Sequence, residues 1–287
     1  MNISDFRLKY PIREMELSGG KIFAYRYYKH PSSKQTLLLL TGGIGLSELF
    51  YLHFERFAKD FSVITFDYQM NFETNGEFAD AVAELLSKLN IKVWLVGQSL
   101  GGIVAQIIAK EHPEAVEGLV LSNTCSLSEN MNEAANAHLM TMLESTEKSK
   151  KLLKYIPFGV YKWLIKRMVM TKKTGGFSPE EKQTMEGLCD IILERLTKAY
   201  ELHMLDFLMD AENHRGMNKE QFESWSDRVL LILSEDDDTF NTDCKNALIE
   251  LMTEPTVVTN ITGGHLALLI RLESYANLVS EYIKNRE

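Results

Sequence analysis

The stretch that decides the fold is Val93-Trp94-Leu95-Val96-Gly97-Gln98-Ser99-Leu100-Gly101-Gly102. An apolar run precedes Gly97 and a second apolar segment, Leu100–Glu111, follows Ser99, so the chain passes from a buried strand straight into a helix at the serine. A turn that sharp leaves no room for side chains beside the serine, and glycine meets that demand on both flanks. The arrangement holds the Ser99 hydroxyl at the tip of the turn, with the Leu100 N–H at the helix start facing the same space.

Outward from this turn, short apolar runs alternate with helical patterns. On the N-terminal side come strand Thr36–Leu40, helix Ser47–Ala58, strand Ser62–Asp67, helix Glu77–Leu89 and strand Lys92–Val96; strand Val116–Ser122 follows the turn's own helix. Unbroken apolar strands joined by helices imply a mostly parallel sheet covered on both faces, a doubly wound α/β architecture. Ahead of it, Ile12–Leu17 and Lys21–Tyr28 flank Gly19-Gly20 and predict an antiparallel hairpin.

The rhythm changes between residues 125 and 225. No strand pattern occurs there, and Asn132–Ser145, Leu152–Met170, Glu180–Ala199 and Tyr200–Asp210 predict helices. The α/β pattern resumes with strand Arg228–Leu233, helix Thr242–Met252, strand Thr256–Ile261 and a closing helix Leu266–Lys284. The expected organisation is therefore one α/β core, residues 1–124 and 226–287, interrupted by an all-helical cap over residues 125–225.

Composition narrows the function classes. The 287 residues are 45% hydrophobic and 25% charged, as in ordinary globular proteins. A net charge of −9 with no long basic stripe argues against nucleic acid or anionic lipid as a partner. No apolar segment approaches the ~18 residues of a membrane span, and the start Met1-Asn2-Ile3-Ser4-Asp5-Phe6 lacks a signal-peptide pattern. Cys125, Cys189 and Cys244 are far apart and odd in number, which suits neither a disulfide framework nor a metal site and points to the cytoplasm.

A serine hydroxyl becomes a competent nucleophile only when a base takes its proton. Of seven histidines, His265 is the expected base, because Gly263-Gly264-His265 follows the last strand and α/β enzymes build their sites at the carboxyl ends of parallel strands. His30 sits in an early loop, His112 at a helix end before Pro113, His138, His203 and His214 in the insertion or at its edge, and His53 in the helix after the glycine loop, where a structural role fits better.

With these residues in view, the chain resembles the α/β-hydrolase fold family almost from end to end. Besides the serine turn, the resemblance rests on Leu37-Leu38-Leu39-Leu40-Thr41-Gly42-Gly43-Ile44-Gly45 and on His112-Pro113-Glu114-Ala115-Val116-Glu117-Gly118-Leu119-Val120-Leu121. It implies the order nucleophile, acid, histidine. The acid follows the strand ending at Leu233, where Glu235-Asp236-Asp237-Asp238 stand in a row; the family spacing selects Asp237, with Asp238 and then Asp236 as alternatives. The resemblance also makes Gly43 the second oxyanion donor beside Leu100, in a loop where Thr41 replaces the His of many members.

The implied chemistry is ester hydrolysis of a small or medium apolar molecule through an acyl-enzyme, without metal or organic cofactor. The same triad serves C–C bond hydrolases, lactonases, proline aminopeptidases, cofactor-free haloperoxidases or perhydrolases, and acyltransferases; a non-catalytic ligand-binding protein that kept the fold is the rival from another class. The methionines of the insertion, Met131, Met140, Met142, Met168, Met170, Met185, Met204 and Met209, read chiefly as helix core. Lys148, Lys150, Lys151 and Lys154 read as a solvated helix face. The oligomeric state is open, a homodimer being one option.

Overall fold

A computed structural model describes residues 1–172 and 177–286. In chain order its elements are α1 (Ile3–Lys9), β1 (Arg13–Glu16), β2 (Ile22–Tyr28), β3 (Thr36–Leu40), α2 (Tyr51–Phe57), β4 (Ser62–Thr65), α3 (Asn75–Leu89), β5 (Val93–Gln98), α4 (Leu100–Glu111) and β6 (Val116–Ser122). The insertion holds α5 (Glu133–Tyr155), α6 (Phe158–Lys172), α7 (Pro179–Arg195) and α8 (Lys198–Asp210). Then come β7 (Val229–Ile232), α9 (Thr242–Leu251), β8 (Thr256–Val258), α10 (Ala267–Ile270) and α11 (Leu272–Lys284).

Among the described residues the strands form one eight-stranded sheet in the order β1-β2-β4-β3-β5-β6-β7-β8. The β1–β2 hairpin and the β2–β4 pairing are antiparallel, and the rest of the sheet is parallel. Side chains alternate across it. Leu38, Leu40 and Leu95 pack under α3 and α4, whereas Leu37, Leu39, Trp94 and Val96 pack against α1, α2 and α11. Both faces are thus covered, which is why β3, β4, β5 and β7 are buried at every residue and carry no charged side chain.

Several boundaries differ from those expected, each for a local reason. The predicted break between Ser145 and Leu152 is absent, and α5 continues to Tyr155, because the first breaker is Pro157; Ile156 before it is extended. The next helices divide at Leu196-Thr197 rather than at Tyr200, since the Thr197 hydroxyl accepts from Tyr200 N–H and caps α8. The helix predicted over Ser47–Ala58 begins as a 3-10 turn, Ser47–Phe50. The closing helix is interrupted at Arg271, whose guanidinium donates to the Thr262 carbonyl at 3.1 Å. Strand β8 ends at Val258, short of Ile261, where the chain turns up toward the site.

The insertion is tied to the core at separate points along its length. Tyr200 Oη donates to the Gly45 carbonyl at 2.8 Å, Asn75 N–H to Asp210 at 2.7 Å, and His138 Nε2 to the Thr239 carbonyl at 2.7 Å. Arg195 at the end of α7 pairs with Asp67 at 2.5 Å and with the buried Glu48 at 3.3 Å. Arg271 pairs with Glu181 near its start. The lysine cluster faces acids of its own surface: Lys148 with Glu144, Lys151 with Glu147, and Lys150 with Asp206.

Candidate active site

The site begins at the β5–α4 turn. Ser99 has φ +53° and ψ −122°, a backbone conformation that L side chains rarely adopt. The surrounding structure holds it there. A Cβ on Gly97 would collide with the Gly101 carbonyl, and one on Gly101 with the Leu40 carbonyl of β3. The Thr124 hydroxyl donates to Ser99 O at 2.7 Å, and the N–H groups of Gly102 and Ile103 make the first helical bonds to the same carbonyl. The Leu100 N–H lies ahead of those bonds, at the positive end of α4.

Gly43 follows β3, the strand beside β5, and shares a cavity lining with Ser99 and Leu100. Thr41 is buried; its carbonyl accepts from Tyr68 Oη at 2.8 Å, and its hydroxyl has no partner among the described residues. Tyr68 thus anchors the glycine loop at Thr41.

Asp237 and His265 come from the loops after β7 and β8. His265 Nδ1 lies 3.1 Å from Asp237 Oδ2, and the Asp237 side chain is fully buried while Asp236 and Asp238 are exposed. Burial by itself would raise the Asp237 carboxyl, but the His265 hydrogen bond and charge, the Thr239 N–H at 2.8 Å and the nearby Lys245 outweigh it and hold it below the ordinary carboxylate range. Asp236 instead accepts from Gly263 N–H at 2.8 Å, clasping the histidine loop from outside. The geometry therefore distinguishes three neighbouring carboxylates that their residue types cannot.

The other face of the imidazole meets Gln98. Gln98 Nε2 lies 3.2 Å from His265 Nε2 and 3.3 Å from the His265 carbonyl. Its amide nitrogen donates to both, so His265 Nε2 accepts and Nδ1 carries the proton given to Asp237. That is the tautomer a general base requires. Among the described residues no hydrogen bond joins Ser99 to His265: in this state Gln98 holds the ring nitrogen that a nucleophilic serine would use.

Sequence reasoning passed over two residues. Gln98 reads as the variable position of a motif, and Asn123 as the residue after a strand. Asn123 has φ +39°; its amide nitrogen donates to Ser234 Oγ and to the Gly264 carbonyl, both at 3.0 Å, while its oxygen accepts from Ser234 N–H at 2.8 Å. One side chain thus joins the acid loop to the histidine loop. The only signal in the sequence is an Asn able to adopt the left-handed region at the end of an apolar strand.

Of these groups Ser99 and Leu100, together with Gly43, line a cavity. Its walls combine Ile103 and Phe240 of the core with Leu127, Leu139, Leu143 and Leu208 of the insertion. Phe240 also packs against the His265 ring, with centroids 5.6 Å apart. The other histidines lie elsewhere. His53 is buried and donates through Nε2 to the Leu268 carbonyl at 3.0 Å, and desolvation pushes its pKa down to about 4.

Comparison with known proteins matches this architecture. The sequence model described as alpha/beta hydrolase fold matches residues 35–149. A thermophilic esterase from Thermogutta terrifontis superposes with a TM-score of 0.70 at 16% identity, covering 96% of this chain and 98% of the esterase. The chain has the α/β-hydrolase fold. An enol-lactonase from Burkholderia xenovorans shares this fold with a TM-score of 0.68 at 12% identity, over 95% of this chain and 100% of the lactonase. In sequence, this α/β-hydrolase-fold chain is 33% identical over 100 residues to a protein of Agrobacterium fabrum named "Putative carbamate hydrolase RutD". That match spans 31% of this chain and 38% of the relative.

Proposed function

We propose that the chain is a serine hydrolase that cleaves carboxylic esters of small or medium apolar molecules through an acyl-enzyme. The observation that carries this reading is the pairing of buried Asp237 with His265, in the base-ready tautomer, at the same sheet edge as a strained serine turn facing an apolar cavity. Ser99 Oγ attacks the carbonyl carbon while His265 Nε2 takes its proton. The bond between Nε2 and the Gln98 amide must be exchanged for one to Ser99 at that step, a side-chain movement between adjacent residues. Asp237 keeps the ring oriented and stabilises the imidazolium.

Charge on the substrate oxygen is met by the N–H groups of Leu100 and Gly43. His265 returns the proton to the leaving alcohol; it then activates water, which attacks the acyl carbon, releases the acid and restores Ser99. Residues 125–225 act as the cap, since they supply one wall of the cavity and leave the other to the core. The similarity to the Agrobacterium protein favours carbamates as a second substrate class, processed by the same steps through a carbamoyl-enzyme. This reading places the enzyme in the cytoplasm, where free thiols such as Cys125, Cys189 and Cys244 persist, with a small molecule as its substrate.

Hydrolysis of p-nitrophenyl acetate and butyrate by the wild type and Ser99→Ala tests the reading. The variant is expected to lose on the order of 10⁴-fold or more in kcat, leaving only the rate that binding and the oxyanion donors sustain. A fluorophosphonate probe should label Ser99 and fail to label His265→Ala. Equal rates in wild type and Ser99→Ala would remove the serine from the mechanism.

A further inference from the structure

Helix α6 is apolar on two opposite faces. Phe158, Ile165 and Val169 pack against apolar clusters inside the protein, while Val160, Trp163, Leu164 and Met168, spaced to share one helical face, are exposed. A helix covered on one side needs only one apolar face, and a second such face marks a surface that takes up a partner. Just ahead of it, at the end of α5, Leu152 and Tyr155 are exposed as well. Basic residues are concentrated in the same stretch. Residues 148–171 hold seven lysines and arginines and no aspartate or glutamate, although the whole chain carries −9. Lys148, Lys150, Lys151 and Lys166 pair with acids of α5, α7 and α8, but Lys154 and Arg167 have no acidic partner among the described residues. The Arg167 guanidinium lies over the exposed Trp163 ring, 5.2 Å from its centroid.

We propose that the outer face of α6 docks on an anionic lipid bilayer: Trp163 and Leu164 enter the boundary between headgroups and acyl chains, and Arg167 and Lys154 meet lipid phosphates. Aliphatic side chains and a tryptophan on a basic helix suit that boundary, where an amphipathic ring has one wet end and one apolar end. Charge selects this occupant over a second copy of the chain. A twofold contact would set the basic face against itself, whereas anionic headgroups offset it. The negative charge elsewhere does not prevent approach, because salt screens it beyond about 8 Å and only the docking face comes that close. The net charge of −9, which argues against lipid when taken over the whole chain, thus hides a local excess of the opposite sign.

The test is co-sedimentation of the full chain with vesicles of phosphatidylcholine alone and of phosphatidylcholine with about a third phosphatidylglycerol. The wild type should bind the anionic vesicles and lose most of that binding between about 0.1 M and about 0.5 M salt. Trp94 and Trp225 are buried, so brominated acyl chains in the anionic vesicles should quench emission from Trp163. The double variant Trp163→Ser/Leu164→Ser should bind at least about tenfold more weakly, and Lys154→Gln/Arg167→Gln about 20-fold more weakly. All four side chains are exposed, so both variants should keep the urea midpoint of the wild type, which checks that they fold. Equal binding to neutral vesicles, no binding to anionic vesicles at low salt, or undiminished binding by either variant would overturn the proposal. A lipid-free dimer that Trp163→Ser/Leu164→Ser converts to a monomer in light scattering would overturn it as well, by giving the face to a second copy. None of these readouts depends on turnover at Ser99.

Discussion

The sheet core and the helical insertion solve the same burial problem differently. Strands β3, β5 and β6 are covered on both faces, so nearly every residue meets packed neighbours. Helix α6 in the insertion turns Val160, Trp163, Leu164 and Met168 toward solvent, with Trp163 56% exposed. A doubly covered sheet fixes its side chains by packing. An insertion that rests on the core through one stripe of each helix relies on separate contacts such as Tyr200–Gly45, Asp210–Asn75 and Arg195–Asp67. The cavity lies where these two kinds of structure meet.

This contrast can be broken most directly in β3. Leu38→Ala removes a fully buried side chain from the centre of the sheet and should cost about 2–5 kcal/mol in urea denaturation. A cost near zero would mean that the core is less tightly packed than its burial indicates.

A smaller effect is expected at His53, on core helix α2. Its folded pKa near 4 lies below the ordinary histidine value, so the unfolded chain binds the extra proton between about pH 6.5 and pH 4. Stability from this group is complete above the unfolded pKa and declines as pH falls through that window. The loss between pH 7 and pH 5 should be on the order of 1–2 kcal/mol. Comparing denaturation midpoints of the wild type and His53→Gln at the two pH values checks it; an identical pH dependence in both proteins would exclude His53 as the source.

The smallest change is predicted in the insertion. Trp163→Ala on α6 should shift stability by no more than about 0.5 kcal/mol, since the ring is largely in water. A loss as large as that of Leu38→Ala would show that α6 is covered in solution and would erase the distinction between the two regions.

Much of the fold was legible before any coordinates. The β5–α4 turn announces itself because its geometry admits only small residues beside Ser99, and the buried strands because two covered faces demand unbroken apolar runs. Helix limits in the insertion were harder to read, because α5 runs on through the predicted break until Pro157 stops it and a threonine cap moved the start of α8. Helix α1 carried no expectation; Phe6, packed edge-on against Phe54 with centroids 5.5 Å apart, supplies its reason to form.

The sequence by itself determined the alternation of strands and helices, the place of the insertion and the types of residue available for chemistry, since all of these follow from local sterics and burial periodicity. Only the tertiary structure set Asp237, not Asp236 or Asp238, against His265, gave His265 Nε2 to Gln98 in this state and joined two loops through Asn123. Those choices depend on distances between atoms remote in the chain. No local pattern encodes them, because the partner of a polar atom is set by whichever segment the rest of the fold brings beside it.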